Sequence, residues 1–424
     1  MTRPVLFDAS RLVSRNSRSA PTGIDRVCLA YAEWLLAMPS VDLIPVRGRR
    51  GGLVAVDRIW FGDLVRDVRE RWNGDRAVYR PQDHALDLAL RMPLDQRVAL
   101  REESPPDTPP KKSARRLAAA PRLLASRRLP PLSAGALYLN AAHTGLEDDS
   151  ILTTLGDAGV ERVVLLHDLI PITHPEYCRP GDDQKHRRRL NTILNHADAV
   201  IVNSRYTGDE LRRFAAAENR RPPRTIVAHL GVEDVFRQRP ASTTAPTLPY
   251  FLHVGTVEGR KNLAFLLTIW SRLAEVMGEA APQLVLVGSH GWESEAVLDH
   301  LERSPRIQKL VHHVAGVGDD TLMQLMAGAR ALLAPSSVEG FDLPAVEART
   351  MGVPVIASDI PVHREVAPDA VLVDPIDGLG WLRAIQAAVD APAAQAARFS
   401  PTWDGHFAVV GAALDLPGRA TDRA

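Results

Sequence analysis

The chain has 424 residues, long for a single hydrophobic core and suited to two domains. Its 51 basic residues match its 51 acidic ones, which excludes the one-signed field of a nucleic-acid binder. Cys28 and Cys178 are too few for a disulfide framework or a cysteine-based zinc site. The apolar run at 5–7 is too short for a signal-peptide core, and no apolar stretch nears the ~18 residues that cross a bilayer. A soluble, cytoplasmic protein is expected.

Residues 5–7 read as a buried strand and 9–22 as a polar loop. Gly23 then opens a helix in which Ile24, Val27, Cys28, Tyr31 and Leu35 keep the spacing of one buried face. Further buried strands are expected at 163–166, 199–202 and 225–228, with a helix over 205–216. Two segments break the alternation. Residues 104–132 hold seven prolines, and 111–128 carry seven basic residues and no acidic one, the pattern of a disordered or loosely docked insertion. Residues 239–247 suit an inter-domain linker. Beyond it, strands at 250–254, 283–287, 310–314, 331–334, 353–357 and 371–373 alternate with helix-length segments, enough for a complete Rossmann-like domain. The expected class is α/β, with one Rossmann-like unit over 1–238 that carries the insertion and a second over 248–390. A helical tail over 391–424 follows.

Parallel sheets bind ligands beyond their strand ends, so the residues after each strand matter most. Gly255-Thr256-Val257-Glu258-Gly259-Arg260-Lys261-Asn262 follows one of them. Two cations where the next helix starts oppose its dipole, so either an anionic ligand compensates them or they form a solvated turn. After 331–334 comes Pro335-Ser336-Ser337-Val338-Glu339-Gly340-Phe341-Asp342-Leu343-Pro344-Ala345-Val346-Glu347. Pro344 suits a first helical turn, which places Glu339 on the loop and Glu347 one turn into the helix. Such a pair either binds different parts of a polyhydroxylated ligand or consists of one capping and one surface carboxylate. His167 ends the 163–166 strand beside Asp168, at an open strand end or as a cap. Asn203-Ser204 fits an acceptor contact or the cap of the next helix. His312 and His313 alternate faces of one strand and cannot share a metal. There is no Asp-x-Asp pair and no His-x-x-x-His pair, so no metal site is expected, and a diphosphate would rely on Arg260, Lys261, helix N-termini and glycine amides. Asp8-Ala9-Ser10 is no G-x-G-x-x-G turn, and Gly316-Val317-Gly318-Asp319-Asp320-Thr321 matches only in part, which disfavours a nicotinamide dehydrogenase.

The run from Glu339 to Glu347, followed by Gly352-Val353-Pro354-Val355-Ile356-Ala357-Ser358, resembles the E-x7-E signature of family 4 retaining glycosyltransferases with the GT-B fold. Gly255-Thr256 with Arg260-Lys261-Asn262, and Leu286-Val287-Gly288, resemble two further blocks of that family in the expected order. In the first half, Asp8-Ala9-Ser10, Thr22-Gly23-Ile24-Asp25-Arg26-Val27, His167-Asp168-Leu169-Ile170-Pro171 and His174-Pro175-Glu176-Tyr177 are similar to bacterial transferases of surface-polysaccharide assembly.

The resemblance implies two Rossmann-like domains facing across a cleft and a hexose moved, with retention, from a GDP-, UDP- or dTDP-linked sugar to a glycan or lipid-linked acceptor. It places Arg260 and Lys261 on the donor diphosphate, Glu347 on the ribose, Glu339 at the transferred sugar and His167 at the sugar and acceptor side. Gly23, Gly255, Gly340, Phe341, Asp342 and Leu343 complete the donor site, with Asp342 standing where glycine is common. No cofactor, metal or nucleic-acid partner is implied. The basic insertion is expected to dock peripherally on an anionic cytoplasmic membrane face. A sugar-nucleotide epimerase and a non-catalytic carbohydrate- or nucleotide-binding scaffold are the alternatives.

Overall fold

Strands β4 (Leu137–Asn140), β5 (Glu161–Leu166) and β6 (Ala199–Val202) are buried almost throughout, as strands covered on both faces must be: β6 is Ala-Val-Ile-Val, β5 ends Val-Val-Leu-Leu, and β4 buries Tyr138 and Asn140 beside two leucines. With β1 (Arg3–Asp8), β2 (Val41–Arg49), β3 (Gly52–Ala55) and β7 (Arg224–Val227) they form a seven-stranded sheet in the order β3-β2-β1-β4-β5-β6-β7. Only the β2–β3 edge hairpin is antiparallel. Strands β8 (Tyr250–Val254), β9 (Gln283–Val287), β10 (Val311–Val314), β11 (Leu332–Ala334), β12 (Val355–Ser358) and β13 (Val371–Val373) form a second, all-parallel sheet in the order β10-β9-β8-β11-β12-β13. This computed structural model describes residues 3–17, 21–49, 52–74, 81–93, 96–97, 100–101, 129–132, 134–238, 246–390 and 400–416. Most of the basic insertion (through residue 128) and most of the expected linker (239–245) lie outside them.

Both sheets reverse their strand order beside the first strand, between β1 and β4 and between β8 and β11. Those two reversals are where a ligand crevice is expected. The loop expected over 9–22 is partly helical. Residues Ser10–Arg15 turn into a short helix, begun by the Ser10 amide donating to Asp8 Oδ1 (2.9 Å) and tied down by Arg11 Nε on Asp25 Oδ1 (2.6 Å). Thr22 then caps the helix Gly23–Leu36 in a reciprocal capping box with Asp25.

Two segments cross between the halves of the chain. Helix Trp403–Ala413 packs on the first half: Phe407 stacks on Trp34 at 4.5 Å, and Tyr31 Oη lies 2.8 Å from His406 Nε2. Leu100 and Arg101, placed by sequence in the first unit, run along β10 of the second sheet. The Leu100 carbonyl accepts from the His313 amide (3.0 Å), and Arg101 donates to the Val311 carbonyl (2.5 Å). The reason is that β10 is an edge strand whose backbone groups need partners.

Candidate active site

Gly255 follows β8 with a φ of 156°, and a Cβ there would lie 3.1 Å from Lys261 Cε. Glycine at that point lets the Lys261 side chain fold over the strand end, where it is buried. Asn262, in the left-handed region at φ 54°, ends the short turn Gly259–Lys261 and starts helix Leu263–Met277. Across the reversal, the loop after β11 brings in Glu339. Its Oε1 lies 2.5 Å from Lys261 Nζ and its Oε2 2.7 Å from Arg260 Nη1. Burial alone would raise the Glu339 carboxyl, but the two cations outweigh it and hold the group well below the usual carboxylate range. His253 on β8 donates from Nδ1 to the Leu333 carbonyl (2.9 Å). Burial, reinforced by the Lys261 charge, holds this ring down to about 4, so it is neutral, and its Nε2 has no hydrogen-bond partner among the described residues.

Glu347 lies one turn into helix Leu343–Thr350, with Pro344 at its start, and is buried rather than a surface carboxylate. Its environment differs sharply from that of Glu339. Burial pushes its carboxyl up to about 8; Arg26 opposes the shift, while Asp319, Glu233 and Asp342 add to it. Arg26 comes from the other half of the chain and is committed to Asp319, with contacts of 2.8 and 2.5 Å. Near neutral pH, Glu347 is therefore mostly protonated while Glu339 is an anion.

The two halves meet at the Glu339–Leu343 loop. A Cβ on Gly340 would fall 2.4 Å from the His167 carbonyl oxygen, so only glycine allows this approach. The Gly340 carbonyl accepts from Ser204 Oγ (2.9 Å), while Ser204 Oγ itself caps helix Arg205–Ala217 through the Thr207 amide (3.0 Å). Asn203 Nδ2 donates to the His167 carbonyl (2.9 Å). Gly23 faces Leu343, since a Cβ there would sit at an ordinary 3.6 Å from Leu343 Cδ1. His167 Nε2 donates to the Ala141 carbonyl (2.8 Å), and burial holds the ring down to about 4, which leaves it neutral. Phe341 is buried, with its ring 6.0 Å from that of His229.

The residues expected at the donor site thus lie after β8, on the loop and helix after β11, or, for Gly23 and His167, on first-half segments that approach that loop. Residues the sequence did not single out join them: Asp319, His253, His363, which meets Asp342, and Glu365. Glu365 accepts from the Arg205 and Tyr206 amides (2.8 and 3.1 Å) and lies 2.7 Å from His229 Nε2. His312 and His313 do face opposite partners, Gln283 and the Gly288 carbonyl, and serve packing. Among the described residues no group of three His, Cys, Asp or Glu could hold a metal ion.

Residues 234–399, which carry the second sheet and the Glu339–Glu347 loop, match the family described as glycosyl transferases group 1. Over these residues the chain is similar to that family. The serotype-specific mannosyltransferase WbdA of Escherichia coli is 30% identical over 54% of this chain and 29% of its own length. The Escherichia coli O-antigen chain mannosyltransferase B is 32% identical over 51% of this chain and 58% of its own. The chain thus spans less than two thirds of the length of either curated relative. The Anabaena HepE structure in complex with UDP and glucose superposes with a TM-score of 0.54 at 16% identity, covering 98% of this chain and 96% of that one. A sucrose-phosphate synthase from Thermosynechococcus elongatus gives 0.52 at 18% identity over 98% and 96%. The two-sheet architecture is the GT-B fold, and Arg260, Lys261, Glu339 and Glu347 lie within the residues similar to the group 1 family.

Proposed function

We propose that this chain is a retaining glycosyltransferase that moves a hexose from a nucleotide-diphosphate sugar to a glycan or lipid-linked saccharide in surface-polysaccharide synthesis. The observation that carries the proposal is the buried Arg260–Lys261–Glu339 cluster at the strand-order reversal, directly beside the loop that meets His167. In the free protein Glu339 pairs with both cations, and Glu258 supplies a second carboxylate to Arg260 (2.6 Å). A donor diphosphate competes for them and brings negative charge that grows as the glycosidic bond breaks, so the cations stabilise departure more than binding. Glu339, relieved of part of its pairing, accepts from sugar hydroxyls. Glu347 accepts from the ribose, and neutral His167, its Nε2–H held by the Ala141 carbonyl, leaves Nδ1 to accept a hydrogen bond on the acceptor side. Held between two cations, Glu339 is a poor nucleophile. The acceptor hydroxyl therefore attacks on the face that the diphosphate leaves, and its proton passes to the departing phosphate oxygen.

The curated relatives named as mannosyltransferases support a hexose, and the two cations support diphosphate binding without a divalent metal. Docking on anionic lipid through the basic 104–132 segment belongs to the same proposal; no helix among the described residues is long and apolar enough to cross a membrane. The test is thermal stabilisation by GDP, UDP and dTDP in parallel, where a ligand at a hundredfold over its Kd adds about 2.7 kcal/mol. One base should stand out, and Lys261→Ala should abolish the effect and lower kcat. Absence of stabilisation by all three would refute the donor site.

A further inference from the structure

Aspartate is a good helix N-cap, yet Asp342, the residue before helix Leu343–Thr350, caps nothing with its side chain. Its backbone sits in the left-handed region at φ 63° and ψ 70°, a conformation that glycine reaches freely and aspartate only at some cost. Its Oδ2 lies instead 2.9 Å from Nε2 of His363, on helix Pro361–Val366. The other ring nitrogen, Nδ1, is 2.8 Å from the Ser358 carbonyl at the end of β12. A carbonyl only accepts, so Nδ1 carries a proton, and Nε2 beside a carboxylate carries one as well. Burial opposes the cationic form of the ring, but the hydrogen bond and charge of Asp342 outweigh it and raise its affinity for protons. The His363 side chain is wholly buried and that of Asp342 nearly so. An ion pair out of water is held in one geometry and is costly to leave half-made.

We propose that His363 is a positioning residue which, by pairing with Asp342, locks the Glu339–Leu343 loop in the left-handed turn that aims its backbone at the transferred sugar. The inference rests on the proposed function for its purpose, though not for its geometry. The pair does with two side chains what a glycine does by lacking one. It also removes the Asp342 carboxylate from the sugar site, so the aspartate need not alter which hexose is accepted.

The logic fixes the test. His363→Phe fills the ring's space and donates nothing, leaving a buried carboxylate unpaired on a strained turn. Asp342→Gly removes both the carboxylate and the strain, and the double variant Asp342→Gly/His363→Phe has no charge left to pair. In the free full-length chain, hydrogen exchange of peptides covering 339–345 should accelerate at least tenfold in His363→Phe and return to within threefold of wild type in the double variant. Donor cleavage, followed with GDP-mannose, UDP-glucose and dTDP-glucose, should fall at least thirtyfold in His363→Phe and recover to within threefold of Asp342→Gly in the double variant. If His363 served only packing, the double variant would be as impaired as His363→Phe, and that result overturns the inference. So does unchanged loop exchange in His363→Phe. A wild-type chain that cleaves none of the three donors overturns the proposed function instead, while the exchange experiment still decides the pairing.

Discussion

Glu347→Gln isolates the protonation of one buried carboxyl while keeping its shape. In the folded protein this group loses its proton near pH 8, against an ordinary value of 4.5, because burial penalises the anion more than Arg26 relieves it. For an acid whose folded value is raised, the sign is fixed: its contribution is fully present below pH 4.5 and is lost as pH rises through 8. Over that interval the folded state holds up to one more proton than the unfolded state, which lowers stability by as much as about 1.4 kcal/mol per pH unit. The accumulated loss at pH 7 is roughly 3 kcal/mol. Glutamine has no proton to lose, so the variant should match wild type near pH 4.5 and exceed it by roughly that amount at pH 7. Urea denaturation of both proteins at pH 5, 6, 7 and 8 reads the difference directly. Binding should show the reverse preference. Ribose hydroxyls donate best to the carboxylate, so the favoured nucleoside diphosphate should drive a proton off Glu347, visible in calorimetry as a heat that varies with buffer ionisation enthalpy. Charge-assisted bonds of about 1.5–3 kcal/mol make the Gln variant ten- to a hundredfold weaker for the nucleotide and remove the proton release. Parallel stability profiles would refute the protonation argument, and an unchanged nucleotide Kd would refute the ribose assignment.

Gly340→Ala forces a methyl group to within 2.4 Å of the His167 carbonyl oxygen unless the loop moves. It should cost about 1–3 kcal/mol in melting experiments and lower transfer at least tenfold, whereas a wild-type rate would mean the loop contact is not used in catalysis. Glu365→Gln weakens the acceptor for two helix-start amides and the contact with His229. A loss of about 1–2 kcal/mol is expected at pH 7. Because pairing with His229 and the amides outweighs burial and lowers the Glu365 carboxyl, that loss should shrink as pH falls below 4.5. Transfer in excess EDTA should keep most of its rate, and a collapse restored by Mg²⁺ or Mn²⁺ would rule out diphosphate binding by Arg260 and Lys261 alone. Deleting 104–132 should abolish co-sedimentation with anionic vesicles while leaving transfer to a soluble acceptor intact; unchanged binding to vesicles removes the docking role.

Strand positions were legible at most strands buried on both faces, because an uninterrupted apolar run of four or five residues has few other uses; β4, Leu-Tyr-Leu-Asn, is buried throughout but was not expected, its run being short and ended by Asn140. Strands 199–202, 250–254, 283–287 and 371–373 fall as expected, and the others shift by one or two residues. The β2–β3 hairpin escaped notice for a physical reason. Pro45 lies within β2 and Gly52 starts β3, and both residue types argue against a strand. The short helix Ser10–Arg15 has a single fully buried apolar residue, Leu12, so no periodicity announces it. What holds it is Asp25, from another element.

The site shows the same division between what lies along the chain and what meets across it. Arg260, Lys261, Glu339 and Glu347 stand in two short blocks whose spacing is itself the signal. Their partners are fixed by tertiary contact: Arg26 meets Asp319 from 293 positions away, and Ser204 meets Gly340 from 136. Asp342 is the instructive case. Read alone, an aspartate in place of glycine suggests a changed contact with the sugar, because the side chain is visible in the sequence and its direction is not. Once its oxygen is found on His363, the substitution concerns the backbone instead. A left-handed turn can be permitted by removing a side chain or enforced by pairing one. The second device requires a partner 21 positions further along, on a helix whose relation to the loop exists only in the folded chain. Residues that contact a ligand are therefore the easiest to recognise in such a sequence, and residues that aim those contacts are the ones a structure must supply.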